Sequence, residues 1–335
     1  NNMPGFTTHY IFGMKAYNDM PFTPLKHTIA KYRWLYQLGL QGPDMFFYNI
    51  PILRHRDYRN VGSYMHEHKV NAFFECCLRR IGTIRSRQQQ EEAISYLAGF
   101  INHYIADSIC HPYVYGRIGY PVDAPTSMHH GMHAHLENEL DAILLWKYKK
   151  KKPSEFNQTA TICLNGQEIQ FISHFLASCI NETYYPITYR NNFQVTPAMV
   201  HRSIWALRFG CRTLSDKNGK KKFGIAQVES IFVNHPVASA KMVTDSVTDY
   251  RSSCNLNHEA WGNPWDPTRV STASFVDLFH ETLDKCSRVY ALLNSAVTDN
   301  VPLDKQDLSP LLTELGNESY HSGLPVDYKH PLQFL

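Results

Sequence analysis

The chain has 335 residues, of which 43% are hydrophobic and 19% charged, and its formal net charge is +3. The hydrophobic fraction is enough for a substantial core, and the length fits two domains or one large one. The mild basic excess gives no charge argument for nucleic-acid binding, and no apolar run approaches the ~18–20 residues of a membrane span.

The first residues, NNMPGFTTHY, have neither the basic start nor the apolar segment of a secretory signal, and Met3 reads as a natural start. A cytoplasmic protein is therefore expected, unless a leader was trimmed ahead of this chain. The eight cysteines include no C-x-x-C pair, which points to reduced thiols rather than a disulfide framework. Helical periodicity predicts elements at 25–40, 65–85, 88–111, 129–149, 172–183, 196–214, 239–250 and 272–296. In the third of these Ile94, Leu97, Phe100, Ile101, Tyr104 and Ile105 fall at helical spacing, and Gly42-Pro43 ends the first. ATICL and QEIQF flank Asn165-Gly166 and predict a small β-hairpin excursion near 159–171. The fold class expected is all-α, a multi-helix bundle around a metal cluster.

Two lysine-rich stretches, Lys147 with Lys149–Lys152 and Lys217 with Lys220–Lys222, read as solvated loops or, alternatively, as a patch that approaches anionic lipid or phosphate surfaces. The first marks a seam between a core at 3–150 and a mainly helical extension at 151–335, packed on the same body. NHEAWGNPWDP, with His258, Trp261 and Trp265, reads as core or loop packing, or else as the wall of a cleft.

The segment 101–141 concentrates candidate ligands. His103, Asp107 and His111 step by four residues, and so do His133, Glu137 and Asp141. A step of four advances about 40° around a helix, so such side chains share a face. One H-x-x-x-D or H-x-x-x-E is common on helix surfaces. Two of them, joined by a 21-residue connection in a chain with 18 histidines, predict a site for more than one metal ion.

In the second ladder both His133/Glu137 and His135/Glu139 have the spacing. Leu140 and Leu144 share the side of the first pair, which is therefore the expected one, while the other points toward Trp146. Asp141 is either an acceptor for a ligand histidine or an ordinary surface acid. Cys110 points away from the ladder and reads as core. Further candidates are His9, Asp44 after Gly42-Pro43, and His66 and His68 around Glu67. Histidine and carboxylate donors suit zinc, and manganese or iron would accept the same set. Such a cluster activates water and polarises a phosphoryl oxygen, so a metal-dependent hydrolase is expected.

The order His9, Pro43-Asp44, His66, His103-x-x-x-Asp107, His133-x-x-x-Glu137 resembles the zinc-dependent phospholipase C family, which is related to P1-type nucleases. The resemblance covers the first ~150 residues and implies an all-helical bundle holding two or three zinc ions. By that resemblance His66, His103 and Asp107 hold one zinc, and His111, His133 and Glu137 a second. Asp107 would bridge to a third, which His9 also binds. Asp44 would stand beside the attacking water as general base or orienter. Secreted members complete the third site with a free N-terminal amine, and loss of Met3 would leave Pro4 in that place. The spacing from Asp107 to His111 is shorter than in those members, so His129 and His130 stand as alternatives. His68 and Asp141 are further supporting groups or alternative ligands.

The activity implied is hydrolysis of a phosphodiester in a phospholipid or similar small molecule by metal-activated water. Peripheral membrane contact is compatible with it, and no stable nucleic-acid partner is expected. Two other readings stand beside it: a P1-like single-strand nuclease or nucleotidase, and a non-catalytic zinc-binding protein.

Overall fold

A helix whose middle has no solvent face must be a central one, and α6 (Arg87–Arg117) is such a helix. Every residue from Ser95 to Ser108 is buried. Ser86 caps its N-terminus by accepting the Gln89 N–H. The helix continues past the expected end at 111 even though Pro112 lies inside it. The structure, a computed structural model, describes residues 5–48, 61–118, 126–184, 194–214, 245, 247 and 249–327, the side chains of 126–130, 213 and 214 excepted.

Around α6 lie α1 (Phe6–Asp19), α2 (Pro24–Lys31), α3 (Arg33–Gly39), α4 (Val61–Glu67), α5 (Val70–Thr83), α7 (Thr126–Lys149) and α8 (Gly166–Thr183). The chain then forms α9 (Pro197–Leu214), the short α10 (Tyr250–Ser253), α11 (Phe275–Thr298) and α12 (Ser309–Leu315). The predicted helix at 25–40 is thus broken near Tyr32, and that at 65–85 is broken at Lys69, whose φ is +49°. The helix expected at 239–250 falls largely outside the described residues, as do Lys217 and Lys220–Lys222. No helix among the described residues is long and apolar enough to cross a membrane.

The all-α class holds, with a small antiparallel hairpin, but that hairpin does not lie at 159–171. There the chain forms a 3-10 turn, Gln158–Thr161, and then α8. Asn165 is the N-cap of α8: its side chain accepts the Glu168 N–H at 2.9 Å, and the Glu168 carboxylate accepts the Asn165 N–H at 2.8 Å. An Asn-Gly pair suits both a hairpin turn and a helix start, and the glutamate three residues on decides for the helix. The hairpin pairs β1 (Trp261–Asn263) with β2 (Asp266–Ser271). It buries Trp261, whose indole N–H donates to the Ala273 carbonyl at 2.9 Å.

Two glycines bring the site together. A Cβ on Gly39 would stand 2.1 Å from the Tyr96 carbonyl oxygen, and one on Gly99 2.1 Å from that of Tyr36. Helices α3 and α6 therefore meet at backbone contact, which holds the end of α3 against α6 and lets the Leu40 carbonyl reach His103. Residues of α11, among them Cys286, Val289, Tyr290 and Leu293, join Leu35, Ala98 and Ile101 in one buried apolar cluster. All eight cysteines are free thiols, and Cys110 is buried beside Thr282.

Candidate metal centre

Helix α6 supplies His103, Asp107 and His111, and four other segments bring partners to them. Asp44 comes from the 3-10 turn Gly42–Tyr48, His9 from α1, His66 from the end of α4, and His133 and Glu137 from α7. All eight side chains are buried. Gly42 is indispensable to this approach. Its φ is +46°, and a Cβ there would stand 2.2 Å from His103 Cδ2.

Potential ligand atoms fall into two groups, each within 4.8 Å: His9, Asp44, His103 and Asp107 in one, His111, His133 and Glu137 in the other. Asp107 is the hub. Its Oδ1 lies 3.1 Å from His9 Nε2 and 3.7 Å from His111 Nε2. Its Oδ2 lies 3.1 Å from His103 Nε2 and 3.8 Å from His66 Nε2. Asp44 Oδ1 is 3.2 Å from His66 Nε2, and Oδ2 is 3.4 Å from His103 Nε2. In the other group Glu137 Oε1 lies 2.7 Å from His133 Nε2 and 3.3 Å from His111 Nε2.

The chemistry of this donor set fits divalent metal ions. His66, His103 and His111 each place Nδ1 on a backbone carbonyl: Gly62 at 2.7 Å, Leu40 at 3.1 Å and Tyr320 at 2.8 Å. A carbonyl only accepts, so Nδ1 carries the proton and a neutral ring presents its Nε2 lone pair. Each of those lone pairs faces carboxylate oxygens. Lone pair against lone pair is repulsive unless a proton or a metal cation lies between them. Both Asp44 oxygens, Asp107 Oδ2, Glu137 Oε2 and His103 Nε2 are buried without a hydrogen bond, as a metal-ligand set would be.

In the metal-free chain the charges adjust to one another. Burial works to raise the Asp107 carboxyl, but His111, His103 and His9 outweigh it and hold it well below the usual range. Burial likewise opposes a charged His111, yet Asp107 and Glu137 push it up to about 10. Burial prevails at His103, which is lowered. Glu137 is lowered because His133 and His111 overcome its desolvation.

The remaining sequence candidates lie elsewhere. His68 is exposed and sets its Nδ1 on the Tyr64 carbonyl, outside both groups. His135 is 49% exposed, 3.6 Å from Glu139, and Glu139 is buried under the Ser253 hydroxyl rather than solvated. The side chains of His129 and His130 lie outside the described residues, and so does Pro4.

Asp141 neither accepts from a ligand histidine nor sits on the surface. It accepts the backbone N–H groups of Thr7 at 3.1 Å and Thr8 at 2.7 Å. It thereby anchors the first turn of the helix that carries His9. Sequence reasoning passed over His321, whose ring stacks on His66 with centroids 4.8 Å apart. It also passed over Tyr115, 4.5 Å from His133 and 4.8 Å from Trp265 between ring centroids. His321 has no ligand at helical spacing to mark it, whereas Tyr115 continues the step of four from His111 along α6, a signal that was present in the sequence.

No curated protein and no solved structure matches the chain. Residues 8–188 match the family model described as zinc dependent phospholipase C. That stretch is more than half of the 335 residues and contains His9, Asp44, His66, both α6 and α7 ligand ladders, and so both donor groups. The chain belongs to the zinc-dependent phospholipase C family.

Proposed function

We propose that this protein hydrolyses the phosphodiester bond of a phospholipid, or of a small molecule like one, using two or three zinc ions. His66, His103 and Asp107 would hold one ion, His111, His133 and Glu137 a second, and His9 with Asp107 would contribute to a third. The observation that carries this reading is the set of buried imidazole Nε2 atoms facing carboxylate oxygens, three of them with Nδ1 already committed to a carbonyl. Zinc in such a site supplies Lewis acidity, drawing charge from a phosphoryl oxygen and making water nucleophilic near neutral pH.

The chain's own residues orient and hold. Asp107, within 4 Å of four imidazoles, keeps the two donor groups in register. Asp44 is 2% exposed and both its oxygens lack a hydrogen bond. It orients the attacking water and accepts its proton as the bond to phosphorus forms. The bond to the leaving oxygen breaks and that oxygen takes up the proton removed from water, giving a diacylglycerol-like alcohol and a phosphorylated head group.

The test combines zinc counting with a choice of substrates. Two or three zinc ions per chain and release of a phosphorylated head group from phosphatidylcholine are expected. Cleavage of single-stranded DNA without lipid hydrolysis would move the reading to a nuclease. Tight zinc with turnover of neither would make it a binding protein. Asp44→Asn should retain zinc and lose about 10²–10⁴ in kcat. Full activity in that variant removes Asp44 from the mechanism, and loss of zinc makes it a ligand.

A further inference from the structure

The segment 317–326 lies beyond the matched residues 8–188, yet it is hydrogen-bonded to His66, which faces Asp44 and Asp107, and to His111 of the second donor group. The Tyr320 N–H donates to the His66 carbonyl at 3.0 Å, and the Tyr320 carbonyl accepts from His111 Nδ1 at 2.8 Å. Its seat on α6 is prepared by Pro112, which lacks the N–H that would otherwise meet the Ser108 carbonyl. Gly323, at φ +62°, occupies that place: a Cβ on it would stand 2.5 Å from the Ser108 carbonyl oxygen. The Asn263 amide donates to the Ser322 carbonyl at 2.8 Å, and the Ser319 N–H donates to the Leu324 carbonyl at 2.8 Å. The strap is therefore fixed to α6, to the hairpin and to itself.

What it fixes is His321. Its ring lies nearly parallel to that of His66, at 14° and 4.8 Å between centroids, and 5.7 Å from that of His111. Its Nδ1 is buried without a hydrogen-bond partner. Neither donor group includes it. A buried ring nitrogen left unpaired is costly, and a rigid strap that holds one beside a reactive centre keeps it for something that binds there. The phosphoryl group in transfer spreads negative charge over its outer oxygens, and fixed N–H donors beside the metals are what that charge requires. Imidazole can provide such a donor, because a neutral ring always carries one N–H.

We propose that His321 is a substrate-binding residue that donates a hydrogen bond to a phosphoryl oxygen while the two donor groups hold the metals beside it. The proposal rests on the phosphodiesterase reading above. It gives the C-terminal strap a direct part in a centre whose ligands all come from the first 137 residues.

The experiment uses the zinc-loaded full chain, His321→Phe and His321→Gln. Phenylalanine keeps a ring against His66 but has no donor, and glutamine restores one. Zinc per chain, the thermal midpoint, the affinity for inorganic phosphate and kcat and KM on bis(4-nitrophenyl) phosphate are measured for each. His321→Phe should keep zinc and midpoint, bind phosphate roughly tenfold or more weakly, and lose at least as much in kcat/KM. His321→Gln should recover part of both losses.

Unchanged phosphate affinity in His321→Phe overturns the proposal. So does loss of zinc from that variant, which would make His321 a ligand or a prop, and so does a zinc-loaded wild type that binds no phosphate. Turnover of bis(4-nitrophenyl) phosphate that His321→Phe leaves intact sinks this inference alone. Phosphate binding that depends on His321, in a protein that turns over no phosphodiester, supports it and sinks the functional reading alone.

Discussion

Replacing Asp141 with asparagine should change stability by an amount that depends on pH. Asp141 is 2% exposed and accepts the Thr7 and Thr8 N–H groups at 3.1 and 2.7 Å. The N-cap of α1 is Gly5, which has no side chain to give, so Asp141 supplies the cap from α7. Burial raises its carboxyl from 3.8 to about 6, against the pull of the Thr8 and Thr7 hydrogen bonds.

A raised carboxyl means that the folded chain holds the proton more tightly than the unfolded one. The stability it contributes is full below pH 3.8 and is lost as pH rises through 6. A shift of about 2 units amounts to about 3 kcal/mol in all, of which roughly 1–1.5 kcal/mol falls between pH 5 and 7.5. Asparagine does not titrate. Its single oxygen satisfies one N–H and leaves the other unpaired, a pH-independent cost of about 1–3 kcal/mol. The advantage of wild type over Asp141→Asn should therefore shrink by roughly 1–1.5 kcal/mol between pH 5 and 7.5. Urea unfolding of both zinc-saturated proteins across that range measures it, since the titration of the ligand histidines is common to both and cancels. Parallel stability curves, or a gap that widens with pH, would refute the reasoning.

Gly42→Ala should lower zinc content and cost about 1–3 kcal/mol, because a Cβ would meet His103 Cδ2 and the backbone is left-handed; elemental analysis showing a full zinc complement would count against it. His103→Ala and Glu137→Gln strike different donor groups, so each should lose zinc and the double variant should lose more than either, as read by zinc per chain. In the metal-free chain Asp107 and Glu137 overcome burial and hold His111 at about 10, so it is protonated at pH 7. A zinc ion held by His111 would need that lone pair, so titration of the apo-protein with zinc in weak buffer at pH 7 should release at least about one proton per chain, fewer in His111→Ala.

What could be read in the sequence followed from spacing within one element. The two ladders lie on helices that formed, and step-of-four geometry alone places His103, Asp107 and His111 on one face of α6. The same logic failed where the deciding partner was remote. Asp141 looked like one more rung, and nothing near it in sequence shows that its oxygens belong to the N–H groups of Thr7 and Thr8. Asn165-Gly166 was legible only together with Glu168, because the pair is compatible with both a turn and a cap. Glu139 reads as outward by its register with Trp146, yet α10 brings Ser253 over it. His321 was out of reach for the same reason. Its place depends on Pro112 freeing a carbonyl and on Gly323 filling the gap, two events 211 residues apart.

The carbonyls that fix the imidazoles explain why so much of the chain is needed for a site whose two candidate ladders lie on two helices. Gly62 lies within α4, one turn before His66, so that lock is local and forms with the helix. Leu40 follows α3, and its carbonyl reaches His103 only because Gly39 and Gly99 allow the two helices to touch. Tyr320 belongs to the strap, which closes on α6 after every other ligand has been passed in the chain. Each lock fixes a tautomer, and with it the direction in which Nε2 points. A ladder on a helix therefore specifies where the donors are, while the packing of distant segments specifies which nitrogen each one offers. Because those segments hold the rings only in the folded chain, metal affinity here is inseparable from folding.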